Sequence, residues 1–474
     1  MIHQRSGRFP TQQDREYPAR TIPGYSTMRG MVSSLLVLSP ARVAIGLFML
    51  VILVFTALLS LPVAAANHRP TALNDAGFTA VSAITVTGLS SVNTAEHWSL
   101  TGQIIILIAI QVGGIGVMTM VGMLAMAVSE RIGLSSRLLS MQATGSSSIG
   151  TTRRLILTVL VTTFAIETVL AAVLIPRFID YTDDGLTGIW YGIFYAISAF
   201  CNAGFSLHPM GLTAYAHDPW IILTVCLGVI IGSLGAPTLL VLQQVMRRRA
   251  RLNLHAKLTL WATGILLIVG FIGFGLLEWN NPDTLGEFNT MEKFQTLVVS
   301  TVMPRSGGYA VYPVEELTPA SMFLMYALIF IGGGSGSMAG GIKVTTLAVL
   351  CLAIVAEARG RQHVTVFHRT IPADTIRVAI ALLVGSGVAV LTAMIVLSVL
   401  TGASVEQVGF EVLSAFGTCG LSTGLSEQAP AWGQLVLCVM MFLGRVGTIT
   451  FAAGLATRHA PTLYNYPEER PVIG

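Results

Sequence analysis

Charge is scarce in this chain. Only 11% of its 474 residues are Asp, Glu, Lys or Arg, and 53% are hydrophobic. Soluble domains carry about 25% charged residues, so this chain cannot clothe a water-facing surface of its size. That shortage excludes nucleic-acid-binding modules, cytosolic enzymes and disordered scaffolds, and points to an integral membrane protein. Cysteine is scarce too. Cys201, Cys226, Cys351, Cys419 and Cys438 form no CxxC or other ligand spacing, so they read as buried free thiols and not as a disulfide framework. Histidine is missing from the apolar stretches: His3, His68, His97, His208, His217, His255, His363, His368 and His459 all fall outside them. A haem-bearing or di-metal membrane enzyme would need histidines inside its helices. Glycine, by contrast, is in excess, at 48 of 474 residues against about 7% on average.

A spanning helix needs about 20 apolar residues. Eight stretches qualify, at 43–63, 102–126, 155–175, 220–241, 259–277, 321–352, 378–400 and 432–456. The first is followed by Ala64-Ala65-Ala66. It is longer than a signal-peptide core of about 7–15 residues and reads as an uncleaved spanning helix. Most of the 27 basic residues lie in the tails and in loops 127–154, 242–258 and 357–377, whereas the alternate loops hold only Arg69, Arg177, Lys293 and Arg305. The positive-inside rule then puts both termini in the cytoplasm of a multi-pass plasma-membrane protein. Most acidic residues fall on the outer side, either as a cation-concentrating vestibule or as a solvated loop face.

The outer segments repeat one phrase. It runs Ser82-Ala83-Ile84-Thr85-Val86-Thr87-Gly88-Leu89, then Ser198-Ala199-Phe200-Cys201-Asn202-Ala203-Gly204-Phe205, and later Ser414-Ala415-Phe416-Gly417-Thr418-Cys419-Gly420-Leu421. A looser copy, Ser300 to Tyr309, carries Gly307-Gly308 and two extra residues. The glycines recur about every 110 residues. Apolar stretches at 74–84, 189–200, 292–302 and 407–417 precede the phrases and are too short to cross a bilayer, as re-entrant helices are. Irregular backbone at membrane depth must line a water-filled path or be buried in protein. The expected fold is an all-α integral membrane protein of four pseudo-repeated membrane–pore–membrane units around one pore, with eight spanning and four re-entrant pore helices. Its units are a basic tail 1–42, repeats 43–126, 155–241, 259–352 and 378–456, and a tail 457–474. Inward-facing backbone carbonyls can replace the water of a potassium ion, and glycine permits the backbone angles required. A filter of this kind takes Thr87, Gly88, Ala203, Gly204, Gly307, Gly308, Cys419 and Gly420, with the potassium held on carbonyls around Gly88, Gly204, Gly308 and Gly420.

These phrases, their phasing and the eight-span layout resemble the Trk/Ktr/HKT superfamily of potassium transporters, closest to its KtrB-type membrane subunit, over about residues 43–456. The resemblance implies one filter glycine per repeat. Many sodium-conducting members carry serine in place of the first; here it is Gly88, which implies potassium selectivity. The third copy departs from the family: Ser306-Gly307-Gly308-Tyr309 stands for the more usual Thr-Ala-Gly-Phe. Within the sixth stretch, Gly332-Gly333-Gly334-Ser335-Gly336-Ser337 interrupts a helix, since each glycine costs about 1 kcal/mol there. Close helix packing is the alternative. A dinucleotide-binding G-x-G-x-x-A reading fails for want of a βαβ context. The resemblance implies that this segment is an intramembrane gate loop, acting with Arg445 of the fourth inner helix. Lys343 is also charged within a span; it either belongs to that gate or snorkels to the cytoplasmic interface. Glu167 reads as a helix–helix contact. The family further implies a homodimer and a separate cytosolic nucleotide-binding RCK (KtrA-type) subunit. Loops 127–154, 242–258 and 357–377 are its docking candidates, or sites of anionic membrane lipid. Potassium is the expected cargo and sodium a candidate activator. The rival readings are an inverted-repeat secondary transporter and a sodium-permeable member of the same superfamily.

Overall fold

The computed structural model of the protein describes residues 40–131, 148–209, 211–248 and 251–447. Most of the two tails and the middle of the basic segment 127–154 lie outside them. The described chain is helical apart from one small hairpin, in which β1 (Thr365–Val366) pairs antiparallel with β2 (Arg369–Thr370).

The helices run in four groups. The first holds α1 (Pro40–Leu59), α2 (Leu73–Thr85) and α3 (Leu100–Arg131). The second holds α4 (Ser148–Tyr181), α5 (Gly185–Phe200), α6 (Pro219–Leu234) and α7 (Ala236–Met246). The third holds α8 (Leu254–Glu278), α9 (Thr290–Val302), α10 (Pro319–Phe330) and α11 (Val344–Ala358). The fourth holds α12 (Ala373–Thr401), α13 (Val405–Gly417) and α14 (Ala431–Phe442).

Length and burial sort these helices into two layers. α3, α4, α8 and α12 are each long and apolar enough to cross a bilayer alone. Only 17% of the most apolar window of α8, and 22% of those of α4 and α12, is buried within the protein. Apolar side chains such as Val161, Ile268 and Val399 point outward, a surface stable only against lipid. The short helices α2, α5, α9 and α13 have 13 or 16 residues, about 20–24 Å at 1.5 Å per residue, against a hydrocarbon core of about 30 Å. They sit inside the outer layer: Phe194, Tyr195 and Phe200 of α5 and Phe410 and Phe416 of α13 are almost wholly buried. Side chains start three of them. Asp184 accepts from the Leu186 and Thr187 amides, Ser404 accepts from the Gln407 amide, and Asn289 with Glu292 forms a reciprocal capping box.

One stretch read as continuous helix is not. Residues 220–241 form α6 and α7, which meet at 101° across Gly235. Gly235 has φ +87°, and a Cβ there would lie 2.8 Å from the Ser335 carbonyl oxygen. Pro237, in the first turn of α7, favours a fresh helix start at that point. The stretch 321–352 divides into α10 and α11, separated by residues 331–343. The eighth stretch is described only to Gly447, where α14 passes into a π-turn, Leu443–Gly447. All five cysteines are free; Cys201, Cys226 and Cys419 are buried, Cys438 is half-buried, and Cys351 is exposed.

Candidate functional site

Each short helix unwinds into its glycine phrase in the same way. Two residues before each phrase glycine stands a non-glycine residue in the left-handed region: Val86 (φ 57°), Asn202 (φ 58°), Ser306 (φ 71°) and Thr418 (φ 43°). For β-branched Val86 and Thr418 this is a genuine outlier. In three copies the amide after this residue turns back to the phrase serine. Thr87, Ala203 and Cys419 each donate at 2.8 Å to the Ser82, Ser198 and Ser414 carbonyls respectively. The Ser82 and Ser414 hydroxyls also accept from the Gly88 and Gly420 amides, at 3.0 and 3.2 Å. In the third copy the Gly307 amide reaches the Met303 carbonyl instead, at 2.8 Å.

Gly88, Gly204, Gly308 and Gly420 then meet in a closed ring. All four have positive φ, at +90°, +67°, +78° and +91°. A Cβ on Gly88 would lie 2.3 Å from the Ala203 oxygen, and one on Gly204 would lie 3.4 Å from the Gly307 oxygen. One on Gly308 would lie 2.5 Å from the Cys419 oxygen, and one on Gly420 would lie 2.4 Å from the Thr87 oxygen. Each glycine thus faces the carbonyl that precedes the next glycine around the ring. Only glycine satisfies both demands, a positive φ and no Cβ. The four glycines are partly exposed, while Thr87, Leu89, Ala203, Phe205, Gly307, Tyr309, Cys419 and Leu421 beside them are buried. The ring is therefore the place where this backbone meets open space.

The helices that follow press against the short helices through further glycines. A Cβ on Gly113, Gly232 or Gly444 would lie 2.0, 1.9 or 1.8 Å from the Ile84, Phe200 or Phe416 oxygen. In the third group Gly332 meets the Gly340 oxygen instead, at 1.8 Å, because the helix has opened there into a loop.

That loop, 332–341, is buried at every position except Ser335, which is half-buried. Its backbone is tied to its surroundings at several points. The Gly334 and Met338 amides donate to the Ser233 and Gly232 carbonyls at the end of α6, at 2.8 and 3.2 Å, and the Ala236 amide of α7 donates to the Gly336 carbonyl at 3.0 Å. Ser335 and Thr345 share a hydroxyl contact of 3.0 Å, and the Ser337 hydroxyl accepts from the Ala339 amide at 3.3 Å. The Gly332 amide bonds Ile342, and the Gly333 carbonyl accepts from the Val344 amide. The break in the second group therefore cradles the break in the third.

Three cations converge on this loop. Arg445 donates from Nη1 to the Met338 carbonyl. Lys343 turns back to the Ala339 carbonyl at 2.6 Å and is buried, so it does not snorkel. The third is Arg305, which its place among the alternate loops had assigned to the outer side. It is 2% exposed and donates to the Thr263 carbonyl at 3.1 Å and to the Gly332 carbonyl at 3.4 Å. The two extra residues of the third phrase carry it inward, a displacement that loop position alone does not reveal. Among the described residues none of the three pairs with a carboxylate. Glu167 accepts from Gln111 Nε2 at 2.6 Å in a contact between α3 and α4, and lies 3.7 Å from Cys201 Sγ.

On the outer side, His208 is held between two phenols. Its Nδ1 lies 2.7 Å from the Tyr195 hydroxyl and its Nε2 lies 2.7 Å from the Tyr215 hydroxyl. Burial lowers its pKa to about 4, so it is neutral at physiological pH.

Among the described residues no group of three or more His, Cys, Asp or Glu side chains could hold a metal. The polar chemistry at the centre is backbone carbonyl and buried positive charge, which suits passage of an ion. Fold and site together define a multi-span helical membrane transport protein.

The comparisons give the particular family. The family described as TrkH, cation transport protein, matches residues 47–460, and the chain belongs to it. It is 35% identical over 437 residues to the Ktr system potassium uptake protein B of Vibrio alginolyticus, covering 91% of this chain and 94% of that protein. It is also 35% identical to the protein of the same name from Bacillus subtilis, with 92% and 96% covered. The potassium/sodium uptake protein NtpJ of Enterococcus hirae is 35% identical, with 92% and 98% covered. The crystal structure of the potassium transporter TrkH from Vibrio parahaemolyticus shares the fold, at a TM-score of 0.66 and 18% identity over 85% of this chain and 83% of that one. These relatives are transport proteins, not enzymes.

Proposed function

We propose that this chain is the membrane subunit of a potassium uptake system. Its four groups of helices act as four membrane–pore–membrane repeats around one path. The observation that carries the reading is the closed, partly exposed ring of Gly88, Gly204, Gly308 and Gly420, in which each glycine faces the carbonyl before the next. The carbonyls around these glycines, with Thr87, Ala203, Gly307 and Cys419, replace the water of a dehydrated potassium ion. The short helices end at this ring, so their partial negative ends favour a cation there. Beside it, Gly332, Gly333, Gly334, Ser335, Gly336 and Ser337 form a gate loop with Lys343 and Arg445. The buried cations oppose a passing cation until the loop withdraws. Among the described residues these charges have no carboxylate partner; such charges are expensive inside a membrane, and a barrier gives them a use.

The relatives named as parts of a Ktr system support a separate cytosolic RCK (KtrA-type) subunit that drives this withdrawal, docking on the basic cytoplasmic segments 242–258 and 357–377 of a homodimer. The printed name of the Enterococcus hirae relative couples potassium with sodium, which keeps sodium in view as a second cargo or an activator. Gly88 favours potassium. Expression with a compatible RCK subunit in cells lacking potassium uptake tests the reading. Growth at low potassium is expected, and failure to restore it despite membrane-inserted protein would overturn the assignment.

A further inference from the structure

We propose that Arg305 and Ser306 form a latch that ties the Gly-rich loop to the glycine ring, so that movement of the loop alters the ring's preference among ions. The inference rests on reading the ring as the filter and the loop as the gate. Ser306 lies two residues before Gly308 in the left-handed region. Its hydroxyl accepts from the Gly340 amide of the loop at 3.2 Å. It also reaches the Thr418 carbonyl at 2.5 Å and the Gly417 carbonyl at 3.1 Å, in the segment that leads to Gly420. One hydroxyl of the third ring segment therefore touches both the loop and the fourth segment. Gly340 is seated against the same neighbour, since a Cβ there would lie 2.3 Å from Thr418 Oγ1.

Arg305 closes the other end. Its guanidinium bridges the Thr263 carbonyl of α8 and the Gly332 carbonyl at the start of the loop, and among the described residues its Nε has no partner. The loop carbonyl stands where water would otherwise solvate this buried charge. Withdrawing the loop removes that carbonyl from Arg305 and the Gly340 amide from Ser306. The loop thus cannot leave without disturbing two consecutive residues just before Gly308. The coupling runs through a contiguous chain of hydrogen bonds, from Gly332 and Gly340 through Arg305 and Ser306 to Thr418. Both are positioning residues: their side chains hold the ring and the loop in register, and neither has to touch the ion.

Potassium and sodium flux into proteoliposomes holding the purified full chain tests this without a partner subunit. Ser306→Ala should raise basal potassium flux and lower the potassium-to-sodium ratio, each by about threefold to tenfold, as expected for one lost hydrogen bond. Ser306→Thr keeps the hydroxyl and should stay near wild type in both. Gly332→Ala crowds Gly340 and Gly341 within the loop itself, yet it too should lower the ratio. If flux rises in Ser306→Ala and Gly332→Ala while the ratio stays at the wild-type value, loop and ring are independent and the latch is wrong. Thermal melting of each variant separates loss of fold from loss of coupling, and Arg305→Gln supplies the same two readings if Ser306→Ala does not fold. A chain that passes no potassium even with the barrier weakened by Arg445→Ala defeats the filter reading itself, and the latch falls with it.

Discussion

At the scale of single residues, the site depends on backbone conformations that few side chains tolerate. Val86, Asn202, Ser306 and Thr418 hold positive φ without being glycine, at a cost of about 1–3 kcal/mol each. The close packing around each short helix must offset that strain. On the outer side, His208 gives a pH-dependent part of this packing. Its pKa lies at about 4 in the folded protein against 6.5 when free, so the unfolded chain binds the extra proton. Its contribution is intact above pH 6.5 and is lost as pH falls toward about 4. Thermal melting should therefore show wild type losing more stability than His208→Gln over that window; equal losses would remove His208 from the account. The glycines of the ring were legible in the sequence, because their phrase recurs in phase. The inward turn of Arg305 was not, because loop position and charge counting cannot follow a two-residue insertion in three dimensions.

At the scale of elements, two broken helices hold each other. The bend at Gly235 gives its carbonyls to the loop 332–341, and the loop gives Gly336 back to α7. The loop itself was visible in the sequence as a glycine run in a stretch too long for one span. The bend was hidden inside an unbroken apolar run, and its only trace was Gly235 followed by Pro237. Gly235→Ala should lower stability by more than about 1 kcal/mol, since alanine at positive φ is strained and its Cβ would meet the Ser335 carbonyl. A lowered melting temperature with raised basal flux is expected; an unchanged melting temperature would mean that the bend is not held at Gly235. The buried cations make a second prediction. A unit charge about 8 Å from an ion contributes about 2 kcal/mol at an effective dielectric of about 20, or about thirtyfold in rate. Arg445→Ala should raise potassium flux by about that factor in proteoliposomes, and no rise would take Arg445 out of the barrier.

At the scale of the whole molecule, low charge and high glycine had one cause. On the proposed reading, a chain that faces lipid outward and lines an ion path inward has little use for charged side chains and much use for bare backbone. The membrane class, the short helices and the phase of the repeats could be read from periodicity and composition. The ring could not be seen as a ring, because four segments far apart in sequence meet only when the groups of helices close on one another. The proposed orientation, with the basic segments in the cytoplasm, can be checked in a background without native cysteines. A membrane-impermeant thiol reagent applied to intact cells should label Asp183→Cys and spare Gln362→Cys, and the reverse pattern would invert the topology. The central claim is that four glycines from four segments form one potassium-selective ring. The most direct measurement is the potassium-to-sodium permeability ratio of the reconstituted wild type beside Gly88→Ser. The account predicts a ratio well above one in the wild type and a fall of about tenfold or more in Gly88→Ser; an equal ratio in the two proteins would contradict it.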